Sequence, residues 1–123
     1  MSNIITSKGR YSHISRLHPE PFTLIKSGIK VYEVRTNDKK RQSFKIGDQL
    51  TFIKRPNFNE EIKTQITDLI YFNNFAEMVR SLPITALGFS GMKQDDIIAA
   101  YYKYYTRDEE SEFGVVAIKF KRI

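Results

Sequence analysis

The stretch Gly28-Ile29-Lys30-Val31-Tyr32-Glu33-Val34-Arg35 decides how the rest of the chain is interpreted. Its apolar residues favour a half-buried β-strand, but Lys30, Glu33 and Arg35 place three charges of mixed sign within it. A strand this apolar is held in a core, so these charges are predicted to pair with one another or to line a cavity. Glu33 and Arg35 are two residues apart and share a face, where they can pair or jointly grip a polar ligand. Lys30 follows a glycine, where strict alternation need not hold, and the side on which it points stays open.

Length and composition predict one globular domain. The chain has 123 residues, of which 41% are hydrophobic and 28% charged, and its nine Phe and seven Tyr supply material for a core. Such a chain is below the size at which proteins usually divide into two domains. We therefore expect a single domain over residues 13–123, preceded by a flexible N-terminal arm over residues 1–12.

The same composition argues against several kinds of site. The sequence has no cysteine and only two histidines, five residues apart, so we expect no metal site and no cofactor. It shows no apolar run after basic residues at the N-terminus and no stretch long enough to span a bilayer, which predicts a cytoplasmic protein with no membrane partner. The sequence does not set the oligomeric state.

The positive charge points to an anionic partner. A net charge of +6 and a pI near 9.5 raise the local concentration of phosphates, as expected of a protein that binds RNA or a nucleotide. Basic residues cluster in three places: Lys39-Lys40-Arg41 with Lys45, Lys54-Arg55, and Lys119 with Lys121 and Arg122. Solvated loops and sheet edges also carry lysines, so charge alone leaves both interpretations open.

Alternation of apolar residues predicts about five strands. They are expected at 13–17, 28–35, 49–55, 62–72 and 113–120. Within the long fourth strand, one face is predicted to carry Ile62, Thr64, Ile66, Asp68 and Ile70. Turns at 46–48 and 56–59 flank the third strand and make it one arm of a long hairpin.

Three helices are predicted between these strands. The first starts at His18-Pro19-Glu20-Pro21 and stops at Gly28, and the second is capped by Asn74. The third runs from about Met92 to Tyr105, with a stripe of tyrosines (Tyr101, Tyr102 and Tyr105) that is interpreted as packing. Residues 36–43 and 106–112 are predicted loops. The order of elements, without regular βαβ alternation, predicts an α+β fold: a small, mostly antiparallel barrel or strongly bent sheet with helices covering its ends.

The pattern Gly28-x-Lys30-x-x-Glu33-x-Arg35 resembles that of the ASCH family, a branch of the PUA-like superfamily. A short helix precedes the pattern, Ile46-Gly47-Asp48 and a strand follow it, and Phe113–Ile118 is similar to the family's closing segment. The resemblance spans roughly residues 14–122. It implies a small PUA-like β-barrel with a cleft beside the Lys30–Arg35 strand, proposed in the family to bind RNA or nucleotides.

The resemblance leaves undecided whether the protein is an enzyme. Some bacterial members are amidohydrolases that remove an acyl group from an N4-acylated cytidine. In these, the lysine acts with a threonine three residues later and a glutamate from the second half of the chain. Here Lys30 matches the lysine, but Glu33 stands in the threonine's place, and Phe89-Ser90-Gly91, where the glutamate is expected, contains no acid.

Candidate site residues follow from these considerations. In an enzyme, Lys30 would be a general base whose pKa is lowered by burial and by Arg35, with Glu33 as its partner. Arg35 is the strongest candidate for an anion contact, since its planar fork suits phosphate. The full predicted binding set is Lys30, Glu33, Arg35, His18, Arg16, Lys39, Lys40, Arg41 and Lys54. The alternative roles are an exposed lysine at the strand entry, a structural ion pair between Glu33 and Arg35, and a turn histidine at His18.

Three functions stay open at this point. The leading one is a module that binds RNA, or a nucleotide or modified nucleoside, in a cleft beside the Lys30–Arg35 strand. The second is an amidohydrolase acting on an N4-acylated cytidine or a related small amide. The third is a protein-interaction module in which the charges are structural.

Overall fold

The computed structural model describes the backbone of Ile4–Ile5 and all of residues 11–123. Its elements are β1 (Ile4–Ile5), β2 (Tyr11–Leu17), α1 (Pro19–Lys26), β3 (Tyr32–Thr36), α2 (Lys39–Gln42), β4 (Gln49–Lys54), β5 (Glu61–Phe72), α3 (Phe75–Ser81), α4 (Gln94–Tyr101), α5 (Arg107–Phe113) and β6 (Val115–Arg122). The predicted N-terminal arm lies mostly outside the described residues. Of its twelve residues, the structure describes β1 and the first two residues of β2.

The strands form one curled sheet in the order β1-β2-β4-β5-β6-β3. Only β2 and β4 pair in parallel among the described strands, and every other pairing is antiparallel. The sheet is a half-barrel: β3 ends the strand order, β2 lies near the other end beside the two-residue β1, and the two strands approach each other where Arg35 on β3 donates a hydrogen bond to Ser15 on β2. We call this unpaired junction between β2 and β3 the seam. The predicted α+β, mostly antiparallel fold is confirmed.

The concave side of the sheet holds the first apolar cluster. Helix α1 contributes Phe22 and Ile25, which are three residues apart and so lie on one helical face. The strands contribute alternate residues, including Leu50, Phe52, Ile62, Ile66, Val116, Ile118 and Phe120. The predicted position of Leu50 and Phe52 on one face is confirmed, since both side chains belong to this cluster.

The predicted alternation along β5 is wrong beyond Ile66. A register shift lies between Ile66 and Asp68, and an irregularity of this kind reverses which residues face inward. Asp68 is exposed, Leu69 packs against the first cluster, and Ile70 packs against the second. One long strand therefore serves two cores.

The second apolar cluster lies between the outer face of β3 and β6 and the helices α3 and α4. It is built from Tyr32, Val34, Phe75, Met78, Val79, Leu87, Ile97, Val115 and Ala117. Tyr101, Tyr102 and Tyr105 pack against it, with Tyr101 stacked on Phe75 at 4.8 Å between ring centroids. The tyrosines thus have the packing role predicted for them, although α4 ends at Tyr101 and not at Tyr105.

Two segments predicted as loops contain short helices, which gives five helices in the described residues instead of three. In α2 the Asp38 side chain accepts from the Arg41 N–H, and in α5 Thr106 and Glu109 form a capping box. Both helices are rich in charge and lack an apolar stripe long enough to reveal them by periodicity. The predicted cap of α3 is confirmed, because the Asn74 side chain accepts from the Glu77 N–H.

A buried contact between a histidine and an aspartate fixes the start of the sheet. His13 Nε2 lies 2.7 Å from Asp48 Oδ2, and the His13 ring stacks on Phe44. The Asp48 carboxylate also accepts from the backbone N–H groups of Tyr11 and Lys45. A single carboxylate therefore joins β2 to the turn that leads into β4.

Replacing Asp48 with alanine should lower the free energy of unfolding by about 3–5 kcal/mol, because it removes the acceptor from His13 and from two backbone N–H groups in a buried setting. Urea denaturation of both proteins measures the difference. Glu60→Ala is the matched control, since it removes a carboxylate paired at the surface and should lower the free energy of unfolding far less. Equal losses in the two variants would contradict a structural role for the buried pair.

Candidate functional site

Lys30, Glu33 and Arg35 lie together in one chain of polar contacts. The Lys30 ammonium donates to the carbonyl oxygen of Leu87 at 2.8 Å and lies 3.8 Å from Glu33 Oε1. Glu33 Oε2 accepts from Arg35 Nε at 3.1 Å and from Nη2 at 3.0 Å, and Nη2 also donates to Ser15 Oγ at 3.0 Å. This chain of contacts runs from the 87–88 loop to β2 and crosses the seam of the half-barrel. We call it the seam site.

The register of β3 explains why these charges share a side. Glu33 lies opposite Ile118 and Arg35 opposite Val116, and residues opposite each other on antiparallel strands point to the same face. Ile118 and Val116 belong to the concave cluster, so Glu33 and Arg35 also point to the concave side. Lys30 precedes the first residue of β3 and does not follow its alternation. The question that the sequence leaves open is thereby resolved, since Lys30 reaches the same group as Glu33.

Lys30 is held in an almost water-free position. Its side chain is 7% exposed, and burial lowers the pKa of its ammonium, with Glu33 raising that pKa and Arg35 lowering it. Gly88 packs directly on the stem of this lysine: a Cβ atom there would lie 3.0 Å from Lys30 Cδ, and the glycine has φ +96°. Only glycine combines this backbone conformation with so close an approach. The 87–88 loop therefore fixes the position of the amine.

Arg35 keeps its charge at all ordinary pH values. Burial lowers its pKa, but the Glu33 carboxylate and Tyr105 raise it, and the net shift is upward. Tyr101 also faces this group: burial raises the pKa of its phenol, and the Glu33 charge raises it further. Sequence reasoning assigned both tyrosines to packing alone and did not find Ser15. The spacing of Tyr101 and Tyr105 matched a core stripe, so no signal in the sequence distinguished them from packing residues.

Further cations gather on the outer side of the seam. Lys40 donates from Nζ to the carbonyl oxygen of Ile14 at 3.0 Å, and burial, then Arg41, Arg35 and Arg16, lower the pKa of Lys40. Burial, then Arg35, lowers the pKa of Arg41 in the same way. Arg41 Nη1 lies 3.4 Å from Asp38, while its buried Nε has no hydrogen-bond partner among the described residues. Neighbouring positive charges that depress one another's pKa favour an anion between them.

Three other predicted site residues do not join this group. His18 is an exposed residue at the start of α1 and makes no capping hydrogen bond with its side chain. Lys39 is exposed on α2, and Lys54 pairs with Glu60 at 3.3 Å. Within residues 11–123, no hydrogen bond or ion pair links His18, Lys39 or Lys54 to Glu33 or Arg35.

Metal-binding and membrane-spanning features are not found in the described part of the chain. No group of three or more His, Asp or Glu residues there is placed to hold a metal ion. None of its helices has the length and apolar character needed to cross a bilayer. A shallow groove between α3 and α4, lined by Ala76, Arg80, Ile98 and Tyr102 among others, contains none of the residues of the seam site.

The chain is similar to known proteins over almost its whole length. The family model described as the ASCH domain matches residues 16–123. The crystal structure of hypothetical protein PH0355 is 28% identical with a TM-score of 0.80, and the match covers 91% of this chain and 99% of that one. The solution NMR structure of protein PF0455 from Pyrococcus furiosus is 26% identical with a TM-score of 0.69, and the match covers 91% of this chain and 97% of that one. No curated protein matches this chain.

The lowered pKa of Lys30 predicts a dependence of stability on pH. Between this lowered pKa and the ordinary value of 10.5, the unfolded chain holds a proton that the folded protein has released. The free energy of unfolding should therefore rise with pH across this window, by at most about 1.4 kcal/mol per pH unit for one proton. Urea denaturation from neutral pH to pH 10.5, with the Lys30→Met variant subtracted, isolates this contribution. A difference between the two proteins that stays flat or falls with pH would contradict the burial of a charged amine.

Proposed function

The chain belongs to the ASCH domain family, as the motif around Lys30 predicted, and we propose that it binds RNA, or a nucleotide or modified nucleoside derived from RNA, at the seam site. One observation carries this proposal. A partly buried ionic chain, Lys30–Glu33–Arg35, is bordered by Lys40, Arg41 and Arg16, so cations outnumber carboxylates where two strands fail to pair. A surface of this kind attracts a ligand that carries both phosphate and polar base edges.

The inner end of the seam site suits a nucleobase. Both hydrogen bonds that Glu33 accepts from Arg35 use Oε2, whereas Oε1 faces Lys30 at 3.8 Å, beyond hydrogen-bonding distance. Oε1 is thus an acceptor that an exocyclic amine of a base can use, as a carboxylate does with cytosine. The Lys30 ammonium is a donor beside it for a ring nitrogen or carbonyl oxygen. Acceptor and donor side by side match the edge of a base or an amide.

The outer end suits phosphate. Arg35 presents a planar guanidinium whose position is set by Glu33 and Ser15, so little ordering is needed when an anion binds. Lys40 and Arg41 lie close enough to Arg35 for their charges to repel, and a phosphate between them would relieve that repulsion. The proposal therefore places the base toward Lys30 and the phosphate toward α2.

Arg35→Ala should weaken binding of single-stranded RNA roughly tenfold, because it removes the central cation of the site. Fluorescence anisotropy with a labelled oligonucleotide over a range of salt concentrations measures this effect. The slope of log affinity against log salt should become shallower by about 0.7 for each phosphate that the variant no longer neutralises. Arg80→Ala is the matched control: it removes an exposed arginine on α3 that pairs with Asp95 and should leave binding unchanged.

Lys40→Ala separates binding from folding. Arg35 also holds Glu33, so its removal can perturb the fold, whereas the Lys40 ammonium donates a single hydrogen bond within residues 11–123, to the carbonyl oxygen of Ile14. The Lys40 variant should keep the native melting temperature and still show a shallower salt slope. If neither substitution changes the RNA affinity or its salt slope, the seam site is not where RNA binds, and a structural role for these charges is favoured.

A second candidate is hydrolysis of a small amide such as an N4-acylated cytidine. The observation in its favour is the lowered pKa of Lys30, which increases the fraction of neutral amine able to act as a general base. Glu33, in the position where the related amidohydrolases have a threonine, is the only carboxylate within 4 Å of this amine in the described structure. The site thus holds a base and a carboxylate but no hydroxyl nucleophile on the matching position.

Incubation with N4-acetylcytidine tests this second candidate. An enzyme should release acetate and cytidine at a rate that Lys30→Ala abolishes and that rises with pH as the amine loses its proton. Arg80→Ala should retain the full rate. If the unaltered protein releases acetate no faster than Lys30→Ala does, hydrolysis of this substrate is excluded, and binding is the function that the site supports.

A further inference from the structure

The turn between β4 and β5 displays an aromatic ring that folding does not explain. Phe58 is 51% exposed and belongs to neither apolar cluster of the described residues. Its backbone has φ +57°, a left-handed conformation that is rare for a bulky residue and costs free energy. A residue that gains little from burial and strains the chain is a candidate for function.

Arg16 connects this ring to the seam site. Its guanidinium carbon lies 5.8 Å from the centre of the Phe58 ring, which is a cation–π contact. Arg16 directly follows Ser15, the residue of β2 that Arg35 contacts, and its charge lowers the pKa of Lys40. The ring is thus joined to the cations of the seam through one side chain.

We propose that Phe58 and Arg16 form a platform on which a second base stacks, so that the ligand of the seam site is a single strand of RNA and not a lone nucleotide. This inference rests on the proposed function and deepens it. Bases stack on aromatic rings and on guanidinium planes whatever their identity, while flanking cations follow the phosphates. Such cations are available in Arg55, which is exposed in the same turn, and in Lys40, whose pKa the charge of Arg16 lowers.

Charge favours nucleic acid over a protein partner on this surface. A protein partner would need a carboxylate opposite each of Arg16, Arg55 and Lys40, since a charge buried at an interface without a partner is costly. A polyanion with flat bases uses both the ring and the cations. The platform lies beside the proposed phosphate end of the seam site, which is where a strand would continue from a bound nucleotide.

The test compares uridine 5′-monophosphate with a short oligouridylate on the same variants, by fluorescence anisotropy and competition. The oligouridylate should bind more tightly than the monophosphate. Phe58→Gly should weaken binding of the oligouridylate by about fivefold or more, because one base can no longer stack. Binding of the monophosphate should be unchanged. Phe58→Tyr, which keeps a ring, should retain native affinity. Tyr11→Ala is the control, an exposed aromatic on β2 five residues from Arg16 and roughly 16 Å away.

The melting temperature of Phe58→Gly distinguishes the platform from a structural role, because the two predict opposite changes. Glycine adopts a positive φ without strain, so the melting temperature should stay equal or rise while RNA affinity falls. A lower melting temperature with unchanged RNA affinity would assign the ring to folding and overturn the platform. Equal affinity for monophosphate and oligouridylate would also overturn it, with the seam site intact. If the unaltered protein binds neither, the proposed function fails and the platform with it.

Discussion

The burial of the Glu33 carboxylate between two cations constrains the rest of this structure. A carboxylate that is 7% exposed would be strongly destabilising without compensation, and it receives two hydrogen bonds from Arg35 and the nearby charge of Lys30. Each of these cations is in turn tied to a different part of the chain. Lys30 holds the carbonyl group of Leu87, and Arg35 holds Ser15 on β2. One buried charge thus sets the distance between the 87–88 loop, β3 and β2.

The same contacts leave the half-barrel open between β2 and β3. β2 and β3 contact each other through side chains and not through a ladder of backbone hydrogen bonds. Backbone groups at the edge of β2 are therefore free to bond with side chains. Lys40 is an example, since its ammonium donates to the Ile14 carbonyl oxygen. The seam is polar on its inner side, at Glu33 and Ser15, and is bordered by Lys40 and Arg41 on its outer side. The fold and the candidate site are therefore consequences of one unpaired junction.

The long strand β5 shows how a small chain builds two cores around that junction. Its bulge places Ile66 and Leu69, which are three residues apart, on the concave side, so that Ile70 faces the helices. Strand β6, which pairs with β5 and β3, also serves both cores, with Val116 and Ile118 inside and Val115 and Ala117 outside. Since β6 pairs with β3, this alternation places Glu33 and Arg35 on the concave side and Tyr32 and Val34 against the helices. The position of the charges is a result of apolar packing on both sides of the sheet.

The sequence was enough to predict the family, the α+β class, the main strands and the shared face of Glu33 and Arg35, because local alternation and a short motif carry that information. It did not reveal α2 and α5, whose caps lie in charged segments without an apolar stripe, nor the bulge that reverses β5. The direction of Lys30, the partnership of His13 with Asp48 and the contact of Arg35 with Ser15 join residues 3 to 57 positions apart, and most of them connect different elements. These contacts depend on how the elements pack, since periodicity indicates which face a residue takes and not which distant residue it meets there.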